Sequence, residues 1–256
     1  MSIDSAVWLA GIALETVVVA VLLQKGIARL LPVFFAFSIW NLASDFSSRM
    51  VQSHFGYNSP QYFQFFAGEY SLDALMQFAV LVELSWSVLR PYRNVLPRAT
   101  IYGIAVLVLL TGVAVWPFTG IHGLPPAWIT LMRLQQTTST LRILFFLGLA
   151  AMSQLLAIGW RNRELQVATG LGFYSLIGLG ASLLHTHPTS SSMFHTIDMI
   201  VAATYVGILV YWTASFVQKE APRQEFSPRM QNLLLTVAGT ARSSRLAMED
   251  IRNRKP

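Results

Sequence analysis

Apolar residues gather into seven stretches, each near the length that crosses a bilayer, separated by polar connections. An α-helix rises about 1.5 Å per residue, so a hydrocarbon core of about 30 Å takes roughly 20 residues. The stretches predict helices over Ala6–Gln24, Leu30–Met50, Tyr62–Leu89, Ala99–Phe118, Ala127–Trp160, Leu165–Leu184 and Met193–Val217. The second and third carry several polar residues, and the fifth is longer than a bilayer needs. The expected fold class is all-α: a polytopic seven-transmembrane-helix bundle over residues 1–218, then a tail over 219–256. Met1–Ser5 holds no basic residue ahead of the apolar run, so the first stretch is expected to be a retained span and not a cleaved signal.

Charge on the connections alternates. Lys25 and Arg29, then Arg90, Arg93 and Arg98, then Arg161 and Arg163, then Lys219, Arg223 and Arg229 mark every second connection. The connections between them hold few or no Lys or Arg. Positive residues mark the cytoplasmic side. Seven spans put all four basic groups on that side, with the N-terminus outside and the C-terminus in the cytoplasm. The expected location is a plasma membrane, taken as a bacterial inner membrane. Trp116, Tyr57, Tyr62, Trp160 and Trp212 lie near expected interfaces, as aromatic belts do. In the basic tail, Met230–Val237 and Leu246–Ile251 mix apolar residues with Arg and Ser. One or two short amphipathic helices against the inner leaflet are expected there, beside the alternative of a disordered tail.

Composition fits this reading. Charged residues make up 12% and hydrophobic residues 54% of the 256, whereas a soluble domain carries about 25% charged residues. The net charge of +6 would suit nucleic acid, but the bases sit at helix ends and in the tail, so no nucleic-acid partner is expected. With no Cys, disulfides, thiol chemistry and Cys-ligated zinc are excluded.

Ionisable groups at membrane depth are costly, at least about 2.5–3.5 kcal/mol each on insertion scales, so their positions carry information. In the third stretch, Glu69, Asp73 and Glu83 fall within roughly 80° of arc at about 100° per residue, one face shared with Met76 and Val80. Counting residues from the cytoplasmic charges places Asp45, Glu69, Asp73, Arg142, His185, His195 and Asp198 at one outer depth. They come from five stretches, and together they predict an outward-facing polar vestibule. Asp45 and Arg49 are spaced to pair at i, i+4. The segment Leu131–Thr140 is expected to project past the membrane. Glu15 and Glu83 lie deeper, as buried ionisable groups. Glu15 is expected to hydrogen-bond a neighbouring helix, with a proton or ion path as the rival role, and Glu83 to reach toward Arg90 or Arg161. Ala168/Gly172 and Gly178/Ser182 have the small-xxx-small spacing of closely packed helices. The fourth stretch is apolar throughout and expected to face lipid.

Known seven-helix chemistries fit poorly. A retinal Schiff base needs a Lys within the seventh span, and Lys25, Lys219 and Lys255 all lie elsewhere. The seven-helix zinc hydrolases carry Ser-x-x-x-His and His-x-x-x-His motifs that are missing here. A different metal site, from His185, His187, His195 and Asp198, is the rival enzymatic reading. Nothing implies a cofactor. The topology resembles membrane sensor and receptor modules, an analogy of architecture and not of motif. The leading expectation is a receptor-like, ligand-binding module. It would take a small polar ligand from outside and act through a cytoplasmic or membrane protein partner. An ion or proton pathway, or an accessory subunit of a membrane complex, would also fit the pattern.

Overall fold

The computed structural model describes residues 3–56, 59–89, 100–118, 126–153, 161–185, 191–220 and 236. Eight α-helices account for nearly all of them: α1 (Ile3–Gln24), α2 (Ile27–Leu30), α3 (Pro32–Phe55), α4 (Pro60–Val88), α5 (Thr100–Val115), α6 (Pro126–Met152), α7 (Arg163–His185) and α8 (Ser191–Val217). A 3-10 turn, Trp116–Phe118, extends α5. No strand occurs among the described residues. Five of the helices are long and apolar enough to cross a membrane: α1, α4, α5 with its 3-10 turn, α7 and α8. The long helices outside that set, α3 and α6, are polar for a reason given below. The 219–256 tail lies almost wholly outside the described residues, as do Tyr57, Arg90, Arg93, Arg98, Trp160 and His187.

Local chemistry sets the helix boundaries. Gly26 adopts φ 68°, a left-handed conformation open to glycine, and it turns the chain from α1 into α2. Pro32 then occupies the first turn of α3, where its missing N–H costs nothing. At the other end of α3, Gly56 at φ 74° stops the helix. Pro60 opens α4, and the Ser59 hydroxyl accepts from Tyr62 N–H at 3.1 Å, a side-chain cap on one of the orphan donors.

The helices α1, α3, α4, α6, α7 and α8 contact one another in turn around a closed ring, with α5 outside it against α4 and α6. No residue of α5 is buried, in keeping with its uniformly apolar surface. The ring has two unlike halves. One is a dense apolar plug, built from Val18 and Leu22 of α1, Ile27 of α2, Phe34 of α3, Leu84 of α4, Leu165 of α7 and Phe216 of α8. All of these lie toward the α1 C-terminus, hence toward the starts of α3 and α7 and the end of α8. The other half contains a cavity.

Two glycines hold α7 against its neighbours. A Cβ on Gly172 would lie 2.5 Å from the Phe146 Cβ of α6, and one on Gly170 would lie 2.3 Å from Trp212 Nε1 of α8. Close approach of α7 thus runs through Gly170 and Gly172. At Gly178 a Cβ would meet nothing within 4 Å, so the Gly178/Ser182 pair makes no such contact.

Two charged groups in the plug half are tied to backbone at helix termini. Glu83 accepts from Val33 N–H at 2.7 Å and Phe34 N–H at 2.8 Å. Leu31 at the N-cap offers no side-chain bond, so a carboxylate from α4 caps α3 across the interface, at the end where the helix dipole favours an anion. Glu83 therefore satisfies a helix terminus and does not serve the Arg161 region. It is half-buried, not fully buried. Arg163 does the converse for α8. Its Nη1 donates to Ser215 O at 2.9 Å and its Nη2 to Gln218 O at 2.7 Å, holding the last carbonyls of that helix.

Two expectations change here. Trp212 is not an interfacial belt residue: it is 4% exposed, stacks on Phe216, meets Phe34 edge-on, and donates Nε1 to Gln166 O at 3.2 Å. The segment Leu131–Thr140 does not project as a free extension either. Gln136, Thr137, Thr138 and Ser139 are all buried, covered by the neighbouring helices, and Gln136 donates to Ser182 of α7 at 3.2 Å.

Candidate functional site

A cavity of about 810 Å³ occupies the half of the ring opposite the plug. Its lining draws on α3 from Phe37 to Ser48, α4 from Tyr62 to Gln77, α6 from Met132 to Arg142, α7 from Leu171 to Ser182 and α8 from Asp198 to Trp212. The volume lies within the range of about 300–1,000 Å³ typical of small-molecule sites.

Of the residues expected to share one depth, Asp45, Glu69, Asp73, Arg142 and Asp198 all line this cavity. His195 is not part of the lining, and the side chain of His185 lies outside the described residues. His195 sits exposed on α8, and His185 is the last residue of α7. No group of three His, Cys, Asp or Glu side chains is arranged to hold a metal ion among the described residues, and His187 falls outside them. Glu15 is buried, 3% exposed, and one of its oxygens accepts from the Tyr205 hydroxyl. That bond ties α1 to α8 at the cavity wall, because Tyr205 also lines the cavity.

The carboxylates have distinct surroundings. Glu69 accepts from two α3 hydroxyls, Ser44 and Ser48, the latter at 2.5 Å. Spaced four apart, the two serines present one face of α3 to one carboxylate of α4. Asp73 accepts from Gln77 Nε2 at 2.5 Å. Asp45 does not pair with Arg49, because Arg49 lies over the Trp8 ring, 5.4 Å from its centroid, and the Asp45 side chain turns to the cavity. Arg142 is 5% exposed. Its Nη2 donates to Ser139 at 3.1 Å, its Cζ lies 5.9 Å from the Tyr174 ring centroid, and its Nε has no hydrogen-bond partner. Gln77, 8% exposed, likewise leaves Oε1 without a partner. Buried polar atoms are normally satisfied, so each such exception calls for water, an ion or a ligand.

Sequence reasoning missed the aromatic part of the wall: Phe37, Phe66, Tyr70, Tyr174, Tyr205 and Trp212. Tyr174 and Tyr205 approach with ring centroids 5.5 Å apart. In so apolar a chain no spacing separates an aromatic that faces a cavity from one that faces lipid. The serines did carry a signal. Ser44 and Ser48 share the helical face that holds Asn41, also part of the lining, and that face is the polar stripe of α3. Part of the polarity that keeps α3 and α6 out of the strongly apolar set belongs to this lining: Asn41, Ser44, Asp45 and Ser48 on α3, and Gln135, Ser139 and Arg142 on α6. No protein-family model, curated protein or solved structure matches the chain.

Proposed function

We propose that the chain is a seven-span integral protein of a plasma membrane that binds a small polar ligand in an outward-facing pocket and relays occupancy to a separate protein partner. α1, α3, α4, α5, α6, α7 and α8 are the spans, with the N-terminus outside and the C-terminus in the cytoplasm. The observation that carries the reading is convergence: charged side chains from α3, α4, α6 and α8 meet in one organic-ligand-sized cavity. Orientation is supported by the bases. Lys25, Arg161 and Lys219 all sit at the plug end of their helices, the side that positive residues favour for the cytoplasm. The plug supports binding over conduction, since buried apolar side chains fill the ring beneath the cavity.

Two measurements test this. The chain has no Cys, so Gln61→Cys and Arg161→Cys, both at exposed positions, are single labelling sites without background. A membrane-impermeant maleimide applied to intact cells labels Gln61→Cys and not Arg161→Cys; the reverse pattern overturns the orientation. A thermal-shift screen of polar metabolites then yields hits that Asp73→Asn abolishes and His195→Ala leaves unchanged. Hits indifferent to Asp73→Asn place the binding site elsewhere.

A further inference from the structure

The cavity carries charge of both signs in unequal measure. Among the described residues, Asp45, Glu69, Asp73 and Asp198 line it against one guanidinium, Arg142. The hydrogen bonds of these groups go largely to neutral partners. Glu69 is engaged by Ser44 and Ser48, and Asp73 by Gln77. Arg142 feels the field of Asp73, yet its own contacts are a neutral hydroxyl and an aromatic face, and its Nε stays unpartnered inside a buried side chain. Asp45, on α3, has the carboxyl groups of Glu69 and Glu15 as charged neighbours. A buried charge without a hydrogen-bonded counter-charge is unfavourable until one arrives. Here a donor on α6 awaits an anion, and an acid-rich wall on α3 and α4 awaits a cation. Tyr174 and Tyr205 also line the cavity, and aromatic rings attract an organic ammonium through their quadrupoles. The volume is far larger than a bare ion requires.

Resting on the ligand-binding reading, we infer that the pocket takes a small zwitterion: an organic ammonium held by Asp45, Glu69 and the aromatic wall, joined to a carboxylate or phosphate held by Arg142. The ligand is either a free metabolite or the headgroup of a zwitterionic lipid, which share this chemistry.

The test uses the full chain in a phospholipid-free maltoside detergent, with binding read by thermal shift. The probes are phosphocholine and a mixture of α-amino acids as zwitterions, choline as cation, inorganic phosphate as anion and glucose as uncharged control. At least one zwitterionic probe binds about tenfold more tightly than choline, phosphate or glucose, a margin of about 1.4 kcal/mol. Asp45→Asn weakens zwitterion and choline and spares phosphate, whereas Arg142→Gln weakens zwitterion and phosphate and spares choline. Among the described residues Asp45 makes no hydrogen bond that its amide would break, so that variant decides the matter if Arg142→Gln does not fold. Displacement of phosphocholine by added phosphatidylcholine identifies the headgroup as the source, and binding indifferent to that lipid identifies a free metabolite. Gly178→Phe separates the two levels of inference, because Gly178 lines the cavity with open space at its Cβ. If glucose or a singly charged probe binds as tightly as the zwitterions and Gly178→Phe blocks it, the zwitterion assignment falls and the pocket stands. If zwitterion binding survives Gly178→Phe, the pocket itself is misassigned. No shift with any probe at millimolar concentration overturns the zwitterion assignment.

Discussion

The same substitution at two glycines of α7 should have opposite consequences. At Gly172 a Cβ would sit 2.5 Å from Phe146 Cβ and 2.7 Å from Phe146 Cγ. Phe146 Cβ is fixed by the α6 backbone, so no rotamer change relieves the overlap. Two carbons rest about 3.5–4.0 Å apart, and α6 must retreat from α7 by roughly the 1 Å difference. Overpacking of this kind costs about 1–3 kcal/mol. At Gly178 the same methyl enters open space. Both changes gain the same helix propensity, up to about 1 kcal/mol for Gly→Ala, so that term cancels between them. Gly172→Ala should therefore lie about 1–3 kcal/mol below Gly178→Ala. At roughly 2–4 °C per kcal/mol for a chain of this size, the two melting temperatures should differ by about 2–12 °C, with Gly178→Ala at or above wild type. Thermal unfolding of the three purified proteins in one detergent measures it. Equal melting temperatures for the two variants would refute the α6–α7 contact, and with it the packing that places Arg142 beside Tyr174.

Other substitutions probe the remaining joints. Glu83→Ala strips two amides at the α3 N-terminus and should cost about 1–3 kcal/mol, with faster hydrogen exchange at Val33 and Phe34; protection unchanged at both amides would remove the cap from consideration. Arg163→Ala releases the carbonyls of Ser215 and Gln218, so proteolysis near the end of α8 should accelerate at constant protease. The Glu15–Tyr205 bond predicts a coupling of about 0.5–3 kcal/mol in the double-mutant cycle of Glu15→Gln and Tyr205→Phe, read from thermal unfolding; additive effects would deny the contact. Proteoliposomes given a pH step should show only background proton leak, unchanged by Glu15→Gln, because the plug separates that carboxyl from the far end of the bundle.

Depth along the bundle is legible in the sequence and azimuth is not. Counting from basic residues at helix ends groups seven ionisable residues at one expected height, and five of the seven line one cavity. Height does not say which way a side chain points. His195 and Asp198 lie three residues apart, so their azimuths differ by only about 60° at about 100° per residue, yet Asp198 lines the cavity and His195 does not. Partners are hidden for the same reason. The i, i+4 spacing of Asp45 and Arg49 suggests a pair, but Trp8 on α1 supplies a ring for Arg49, and nothing local in the sequence announces a contact forty residues away. Counting from Arg161 puts the run Gln136–Ser139 beyond the outer edge, but a count gives height and not burial, and these side chains are buried against neighbouring helices.

Two helix caps in the plug half contrast with two unmet polar atoms in the cavity half, and the contrast tests scaffold against site. Glu83 and Arg163 each hold two backbone groups at a helix terminus in the plug half. Their bonds are completed within the protein and leave no capacity for a ligand that matters. Arg142 and Gln77, in the cavity half, keep a buried donor and a buried acceptor unmet. Removing a completed cap should lower stability whatever the solution contains. Altering an unmet group should do the opposite: Arg142→Met, which keeps the stem and deletes the buried charge, should leave the empty protein as stable as wild type or more so, because replacing poorly compensated buried charge with apolar volume removes a desolvation penalty. The same variant should lose the stabilisation that ligand confers on wild type. A loss of stability in Arg142→Met without ligand, as large as that in Glu83→Ala, would assign Arg142 to the scaffold.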